Sequence, residues 1–307
     1  MKAWASLLAV VALPGTDAPP RTLRLDAAAP FVDAVIAKRP VRLRVDLAGP
    51  RDVIVDLSTA RRLGLASPKR ELLELVGWDA GGTLDLRIGP VSLPGRWTGT
   101  GWTVDGIRRD GRVLWFPHDQ DDGADGVIGP ALLPYDEVVL VRRPRTALDR
   151  TVEVPVRSGR WRGIEAEHVA GGRRIEIGWS LERSSTLATA AAGRALADAG
   201  AGVMTGARAR ASVAFGVDRP VRTVRLARPL DVGGFRLDAF LIRVSDYAGE
   251  GQPPPDAELP PDEVHVEARG ERQRAWSRLT IGSDLLAACA EIAWRRRPAT
   301  MRLTCTP

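Results

Sequence analysis

Asp46 is the residue of this sequence whose position best suits acid or base chemistry. It ends a strand pattern in which Val41, Leu43 and Val45 alternate with arginines, and the strand breaks after it at Leu47-Ala48-Gly49. A second apolar strand pattern follows closely. A carboxylate at a bend between two buried strands can exchange a proton with a bound molecule, or it can hold the bend by accepting backbone N–H bonds. The residues alone leave both interpretations open.

Other chemical sites are weaker candidates. The acidic loop Asp119–Asp125 lacks the terminal Glu and the flanking helices of an EF-hand, so a solvated loop is favoured over a calcium site. His118, His168 and His265 lie far from one another and from the cysteines, so we predict no metal and no cofactor. The sequence has no Gly-x-Ser-x-Gly motif and no phosphate-binding glycine loop after a strand, which argues against a serine hydrolase or a nucleotide enzyme.

The elements that must position Asp46 are predicted to be strands. Apolar and polar residues alternate with a period of two along much of the chain, and helical patterns are short. Glycine-rich hairpin patterns occupy 77–104, 211–217 and 233–244.

The chain repeats this order of elements after about half its length. The strand pattern of 21–25 returns at 150–154, and Val127-Ile128-Gly129 returns as Thr280-Ile281-Gly282. Such self-similarity is typical of a duplicated domain. We therefore predict two domains, at 19–149 and 150–307, with the boundary in a polar segment that contains Pro144.

The N-terminus has the order of a secretory signal peptide at 1–18: Lys2, the apolar run Ala3–Leu13 and small residues up to Ala18. Export to the periplasm or the cell exterior is the prediction, and a buried first helix is the alternative. No other stretch approaches the roughly 18 apolar residues of a membrane span. In an oxidising compartment Cys289 and Cys305 could form a disulfide, although two free buried thiols fit the sequence as well.

The chain is basic, with a net charge of +6 and a pI near 10.1 over 307 residues. Its arginines are spread along the chain between apolar residues, with local runs only at Arg142-Arg143 and Arg295-Arg296-Arg297. This distribution favours a solvated face over a phosphate-binding surface, so we predict no nucleic-acid partner.

The order of elements resembles the retropepsin-like aspartic peptidases of bacteria, in which a strand-Asp-Thr/Ser-Gly turn is followed by a hydrophobic-hydrophobic-Gly motif that threads beside it. The matching segments are Val45-Asp46-Leu47-Ala48 with Val127-Ile128-Gly129, and Ile177-Gly178-Trp179-Ser180 with Thr280-Ile281-Gly282. The resemblance implies a mostly β fold. It consists of two tandem retropepsin-like (acid protease) β-barrel lobes in a pepsin-like bilobal arrangement, with a cleft between them.

The mechanism of that family requires one aspartate per lobe, because the two carboxylates share one proton and divide the acid and base roles. Leu47 and Ala48 replace the family's hydroxyl residue and glycine beside Asp46. In the second motif the aspartate position falls on Gly178, followed by Trp179 and Ser180. The resemblance therefore implies that Asp46 is the only family-matching catalytic acid and that the second site is degenerate.

Nine tryptophans accompany only two tyrosines. Trp97, Trp102 and Trp115 fall in the region that forms the flap or cleft wall in the resembled family, and Trp179 falls on the second turn. Core packing is the default for tryptophan, whereas a groove lined by these rings would suit an extended peptide.

The predicted function is that of an exported, monomeric pseudopeptidase that binds a peptide or protein in the cleft between its lobes. The alternative is an active aspartic endopeptidase that uses Asp46 through a dimeric dyad or an unrecognised second acid. A duplicated β-barrel scaffold without a cleft function is a third hypothesis.

Overall fold

The computed structural model describes residues 21–66, 81–88, 91–117, 123–159, 163–244 and 276–307. The predicted signal peptide, most of the acidic loop, His118 and His265 lie outside those residues. Within them, no helix is long and apolar enough to cross a membrane.

The strands of the first half are β1 (Thr22–Asp26), β2 (Phe31–Ile36), β3 (Arg39–Val45), β4 (Val53–Val55), β5 (Gly81–Ile88), β6 (Val91–Val104), β7 (Ile107–Trp115), β8 (Gly126–Ile128) and β9 (Glu137–Val141). Those of the second half are β10 (Arg150–Pro155), β11 (Arg157–Gly159), β12 (Gly163–Ala170), β13 (Arg173–Trp179), β14 (Leu187–Ala188), β15 (Gly202–Ala214), β16 (Val217–Val232), β17 (Phe235–Arg243), β18 (Arg278–Ile281), β19 (Cys289–Arg295) and β20 (Thr300–Cys305). The helices are α1 (Leu57–Arg62), α2 (Ala190–Gly200) and α3 (Ser283–Leu286), with a 3-10 turn at Pro130–Leu132.

The first half contains a closed barrel of six strands. Its sheet runs β2-β3-β8-β4-β7-β6-β5, and an additional pairing between β2 and β6 closes the ring and leaves β5 at its edge. Alternation in the sequence fills the barrel, since Val32, Ala34 and Ile36 of β2 are buried while the residues between them are exposed.

The second half repeats the pairings of the first. Its sheet runs β11-β12-β13-β18-β14-β17-β16-β15. The parallel pair β3–β8 has its counterpart in β13–β18, the antiparallel pair β4–β8 in β14–β18, and the parallel pair β4–β7 in β14–β17. The structure thus confirms the predicted fold class, a mostly β chain with two barrel-type lobes of matching topology.

A third sheet joins the two halves. Its order is β1-β9-β19-β20-β10, with β1 and β9 from the first half and the other strands from the second. One continuous hydrophobic core extends across both halves. The predicted boundary between 149 and 150 falls where β10 begins, and its placement stays a prediction.

Cys289 and Cys305 form a disulfide. They lie opposite each other on β19 and β20, so the bond links the two C-terminal strands of the joining sheet. Of the two alternatives that the sequence left open, the structure has the paired one.

Candidate functional site

Asp46 lies where the chain leaves β3 and crosses the segment that follows β8. Its backbone N–H donates to the carbonyl oxygen of Ile128 at 3.1 Å, which extends the parallel β3–β8 ladder by one bond. The crossing is tight at two glycines, because a Cβ atom added at Gly49 would lie 2.9 Å from the backbone nitrogen of Gly129. Real Cβ atoms do not approach backbone so closely, so glycine is required there. The backbone therefore fixes where the Asp46 carboxylate is presented.

Asp46 is half-buried, and its Oδ1 accepts a hydrogen bond from the backbone N–H of Ala48 at 3.1 Å. Burial raises the pKa of Asp46 above its ordinary value, and the Ala48 N–H and the charges of Arg44, Arg183 and Arg278 lower it by less. Among the described residues, no carboxyl group is hydrogen-bonded to it. The charged groups that act on this acid are the guanidinium groups of Arg44, Arg183 and Arg278.

The counterpart of Asp46 in the second half is Ser180. Trp179 lies opposite Ile281 as Val45 lies opposite Ile128, and the Ser180 N–H donates to the carbonyl oxygen of Ile281 at 3.0 Å. The pairing register therefore places Ser180, rather than Gly178, at the position that corresponds to Asp46.

Gly178 has a different role, which is to make room for Arg278. A methyl group at Gly178 would overlap the Nη2 atom of Arg278, whose side chain is buried. Arg278 Nη1 lies 3.6 Å from the Glu165 carboxylate, and Glu165 also accepts from Arg157 Nε at 2.9 Å. Arg278 connects this charged cluster with the site, because its charge lowers the pKa of Asp46.

The two halves contact each other directly at this point. The N–H of Ile164 donates to the carbonyl oxygen of Leu47 at 2.8 Å, and Leu47 itself is buried in the core. Arg44 and Glu182 form an ion pair between the halves. Leu47, which stands where the resembled family has a hydroxyl residue, packs into the core, and a backbone hydrogen bond ties its segment to the opposite half.

The tip of the β15–β16 hairpin covers the site. Arg183 donates through Nη1 to the Ser212 carbonyl oxygen at 2.7 Å and through Nη2 to the Val213 carbonyl oxygen at 2.5 Å. At the tip, the ring of Phe215 packs on Phe116 of the first half with ring centroids 4.5 Å apart. The hairpin thus spans from the second half to the first, above the segment that follows Ser180.

Two buried arginines lie on the strands that follow the tip of this hairpin, Arg219 on β16 and Arg243 at the end of β17. Val221 pairs with Arg243 on the β16–β17 ladder, so Arg219, two residues before Val221, lies diagonally opposite Arg243 on the same face. Their relative exposures are 4% and 5%. Burial, followed by the charges of Arg219 and Arg183, lowers the pKa of Arg243 to about 9. Composition indicated a basic protein, but no sequence pattern indicated that these arginines converge.

The tryptophans predicted to bind a ligand lie mostly in the core. Trp102, Trp115 and Trp179 are 2%, 2% and 0% exposed and belong to the continuous core. This contradicts the prediction that Trp102 and Trp179 line a groove, whereas Trp115, although buried, borders an open hollow beside the β5–β6 hairpin. Their large apolar surfaces are better removed from water than presented to it. Trp97 is half-buried, and the guanidinium of Arg112 lies 5.3 Å from its ring centroid.

A separate open hollow of about 520 Å³ lies between the β5–β6 hairpin and the end of β7. Its lining includes Leu57, Asp85, Arg96 and Phe116. Phe116 therefore connects this hollow with the tip of the β15–β16 hairpin. In the described part of the chain, no group of three or more His, Cys, Asp or Glu side chains could hold a metal ion.

Comparisons with known proteins add little to this geometry. No family model matches the chain, and no curated protein matches it. Among solved structures, the EIAV protease complexed with the inhibitor HBY-793 is similar to 34% of this chain and 85% of its own length, with 14% identity and a TM-score of 0.23. A similarity this low carries no argument about function, and the fold class stands on the strand pairings themselves.

Proposed function

We propose that this protein is a catalytically degenerate homologue of the retropepsin-like aspartic peptidases that binds a peptide or protein segment in the cleft between its halves. The observation that carries the proposal is the set of groups around Asp46. The corresponding position of the second half is Ser180, and the charges that act on Asp46 are those of three arginines.

One carboxylate is insufficient for the family's chemistry. The water that attacks the peptide bond needs a base, and the carbonyl oxygen needs an acid; two aspartates divide these roles by sharing a proton. Catalytic groups that act as a unit lose most of their effect when one is removed. Asp46 with Ser180 therefore supports binding better than hydrolysis.

Dimerisation does not supply the missing acid in this proposal. The sheet β1-β9-β19-β20-β10 already joins the two halves within one chain, and Leu47 and Ile164 connect the segments next to Asp46. A second copy would have to displace these contacts to bring another Asp46 close. The proposal is therefore a monomer with one cleft.

Export is part of the proposal. The signal-like sequence at 1–18 motivates it, and the Cys289–Cys305 disulfide is of the kind that persists in an oxidising compartment. Fusion of residues 1–30 to alkaline phosphatase, which is active only after export, tests it. Activity that depends on the apolar run Ala3–Leu13 supports export, and an inactive fusion contradicts it.

The catalytic part of the proposal is tested with casein as an unstructured substrate, from acidic to neutral pH, with and without pepstatin. We expect no pepstatin-sensitive cleavage by the wild type or by Asp46→Asn, because the second acid is missing. Cleavage by the wild type that both pepstatin and Asp46→Asn abolish would establish an active peptidase instead. A rate that rises with the square of protein concentration would then identify a dimeric dyad.

A further inference from the structure

Arg183 is a cation beside Asp46 whose hydrogen bonds go to neutral groups. Its Nη atoms donate to the carbonyl oxygens of Ser212 and Val213, and its Nε is buried without a hydrogen-bond acceptor in the described part of the chain. A guanidinium group makes its strongest contacts as a planar fork with a carboxylate. Arg183 therefore makes fewer and weaker bonds than its geometry allows.

The nearby carboxylates do not supply that fork. Glu182 pairs with Arg44, and the Asp46 carboxylate accepts the Ala48 amide. Both raise the pKa of Arg183 through their charge, but burial, which is the largest cause, lowers it. Arg183 is thus held partly dehydrated, with its carboxylate neighbours engaged elsewhere.

The surrounding charge also favours an anion. Arg219 and Arg243 share one face of the sheet next to the strand whose carbonyl oxygens Arg183 contacts. Arg183 and Arg219 are close enough to Arg243 to disfavour its charged form. An entering carboxylate would gain from this positive potential whatever other contacts these arginines make. Asp46 and Glu182 would repel a doubly charged phosphate more than a singly charged carboxylate, which favours the latter.

We propose that Arg183 is the receptor for a carboxylate group of the peptide ligand in the cleft, and that binding exchanges its bonds to Ser212 and Val213 for that carboxylate. This inference rests on the proposed peptide-binding function and names the group that is recognised. Because those two bonds hold the β15–β16 hairpin, binding loosens its tip, which then depends on the Phe215–Phe116 contact.

The probe is fluorescein-labelled pentaglutamate, measured by fluorescence anisotropy against pentaglutamine amide. Pentaglutamine with a free C-terminus separates recognition of the terminal carboxylate from recognition of side chains. We expect saturable binding of pentaglutamate that Arg183→Gln weakens by about tenfold or more, because a charge-assisted fork is lost. Arg183→Lys keeps the charge but not the fork and should bind with intermediate affinity.

Arg236→Gln is the matched control, since the Arg236 side chain is 72% exposed and pairs with Asp238 on its own strand, β17. It removes the same charge and should bind like the wild type. Equal binding by wild type and Arg183→Gln would overturn the proposal, as would equal weakening by Arg236→Gln. Binding of pentaglutamine amide as tight as that of pentaglutamate would leave peptide binding intact and overturn only the role of Arg183.

A second measurement needs no variant and covers the case in which Arg183→Gln does not fold. Hydrogen exchange of the amides at 212–217 in the wild type should become faster when pentaglutamate is added, because the Arg183 bonds to the hairpin are exchanged. Unchanged or slower exchange at saturating peptide would overturn the proposal. Casein cleavage is scored separately, so failure of the degenerate-peptidase proposal is distinguishable from failure of this one.

Discussion

At the scale of single residues, the site depends on what stands around one carboxylate. The backbone around Asp46 is held by the Ile128 hydrogen bond and by the close crossing of Gly49 and Gly129. The charges that act on its carboxylate are those of guanidinium groups. In the proposed function, such an acid contributes to binding and does not act as half of a catalytic pair.

The raised pKa of Asp46 predicts an effect on stability. The folded state holds the Asp46 proton more tightly than the unfolded chain does, so ionisation of Asp46 disfavours folding. This cost is absent below the unfolded pKa and grows as the pH rises through the raised folded pKa. Asp46→Asn should therefore raise the free energy of unfolding at neutral pH, with a gain that vanishes in acid.

Urea denaturation of the wild type and of Asp46→Asn, from acidic to neutral pH, measures this difference in the free energy of unfolding. The difference between variant and wild type isolates Asp46 from the other titrating groups. A difference that does not change with pH, or a variant that is less stable at neutral pH, would contradict the prediction.

The contact between Gly178 and Arg278 predicts a coupled pair. Gly178→Ala forces the buried guanidinium of Arg278 to move and should cost about 1–3 kcal/mol. In an Arg278→Met background the same substitution should cost close to nothing, because the group that it displaces is gone. A double-mutant cycle by chemical denaturation measures this coupling. Additive costs would show that the two residues do not compete for space.

At the scale of elements, the sequence predicted the strands better than their register. Alternation located β2 and β3, and the Val127-Ile128-Gly129 motif located the crossing beside Asp46. The register of β13 against β18 was not predicted, because a parallel pairing between segments a hundred residues apart leaves no local signal. The convergence of Arg183, Arg219 and Arg243 depends on such long-range pairings, so it could not be derived from the sequence, whereas the burial of Trp102 and Trp179 follows the default for tryptophan.

The two halves approach each other closely at Gly163, and this contact makes a prediction about stability. It has a φ of +69° and begins β12, and a Cβ atom there would overlap the carbonyl oxygen of Leu47. Gly172 has a φ of +74° with open space around it and is the matched control. Gly172→Ala should lower the free energy of unfolding by about 1–2 kcal/mol, because of the backbone conformation alone. Gly163→Ala should cost about 1–3 kcal/mol more, because the overlap adds to the same conformational cost.

Denaturation midpoints of the two variants give the comparison, and the slope of the transition shows whether both unfold in one step. Equal costs for the two substitutions would indicate that the halves do not need this close contact.

At the scale of the whole molecule, the Cys289–Cys305 bond stabilises the joining sheet. The bond closes a loop with a sequence separation of 16, for which restriction of the unfolded chain contributes about 3 kcal/mol. Replacing both cysteines by serine should lower the free energy of unfolding by about that amount. Adding reductant should destabilise the wild type but not the variant. A wild type whose stability is unaffected by reductant would contradict the prediction.

The joining sheet also has a consequence for synthesis of the protein. β9 ends at Val141, while its neighbour β19 begins only at Cys289, so the nascent chain exposes one edge of β9 until nearly the whole protein has been made. Unpaired edges promote association with other chains. Chaperones that protect such edges during translation should therefore determine the yield of this protein, and fragments that end before β19 should aggregate.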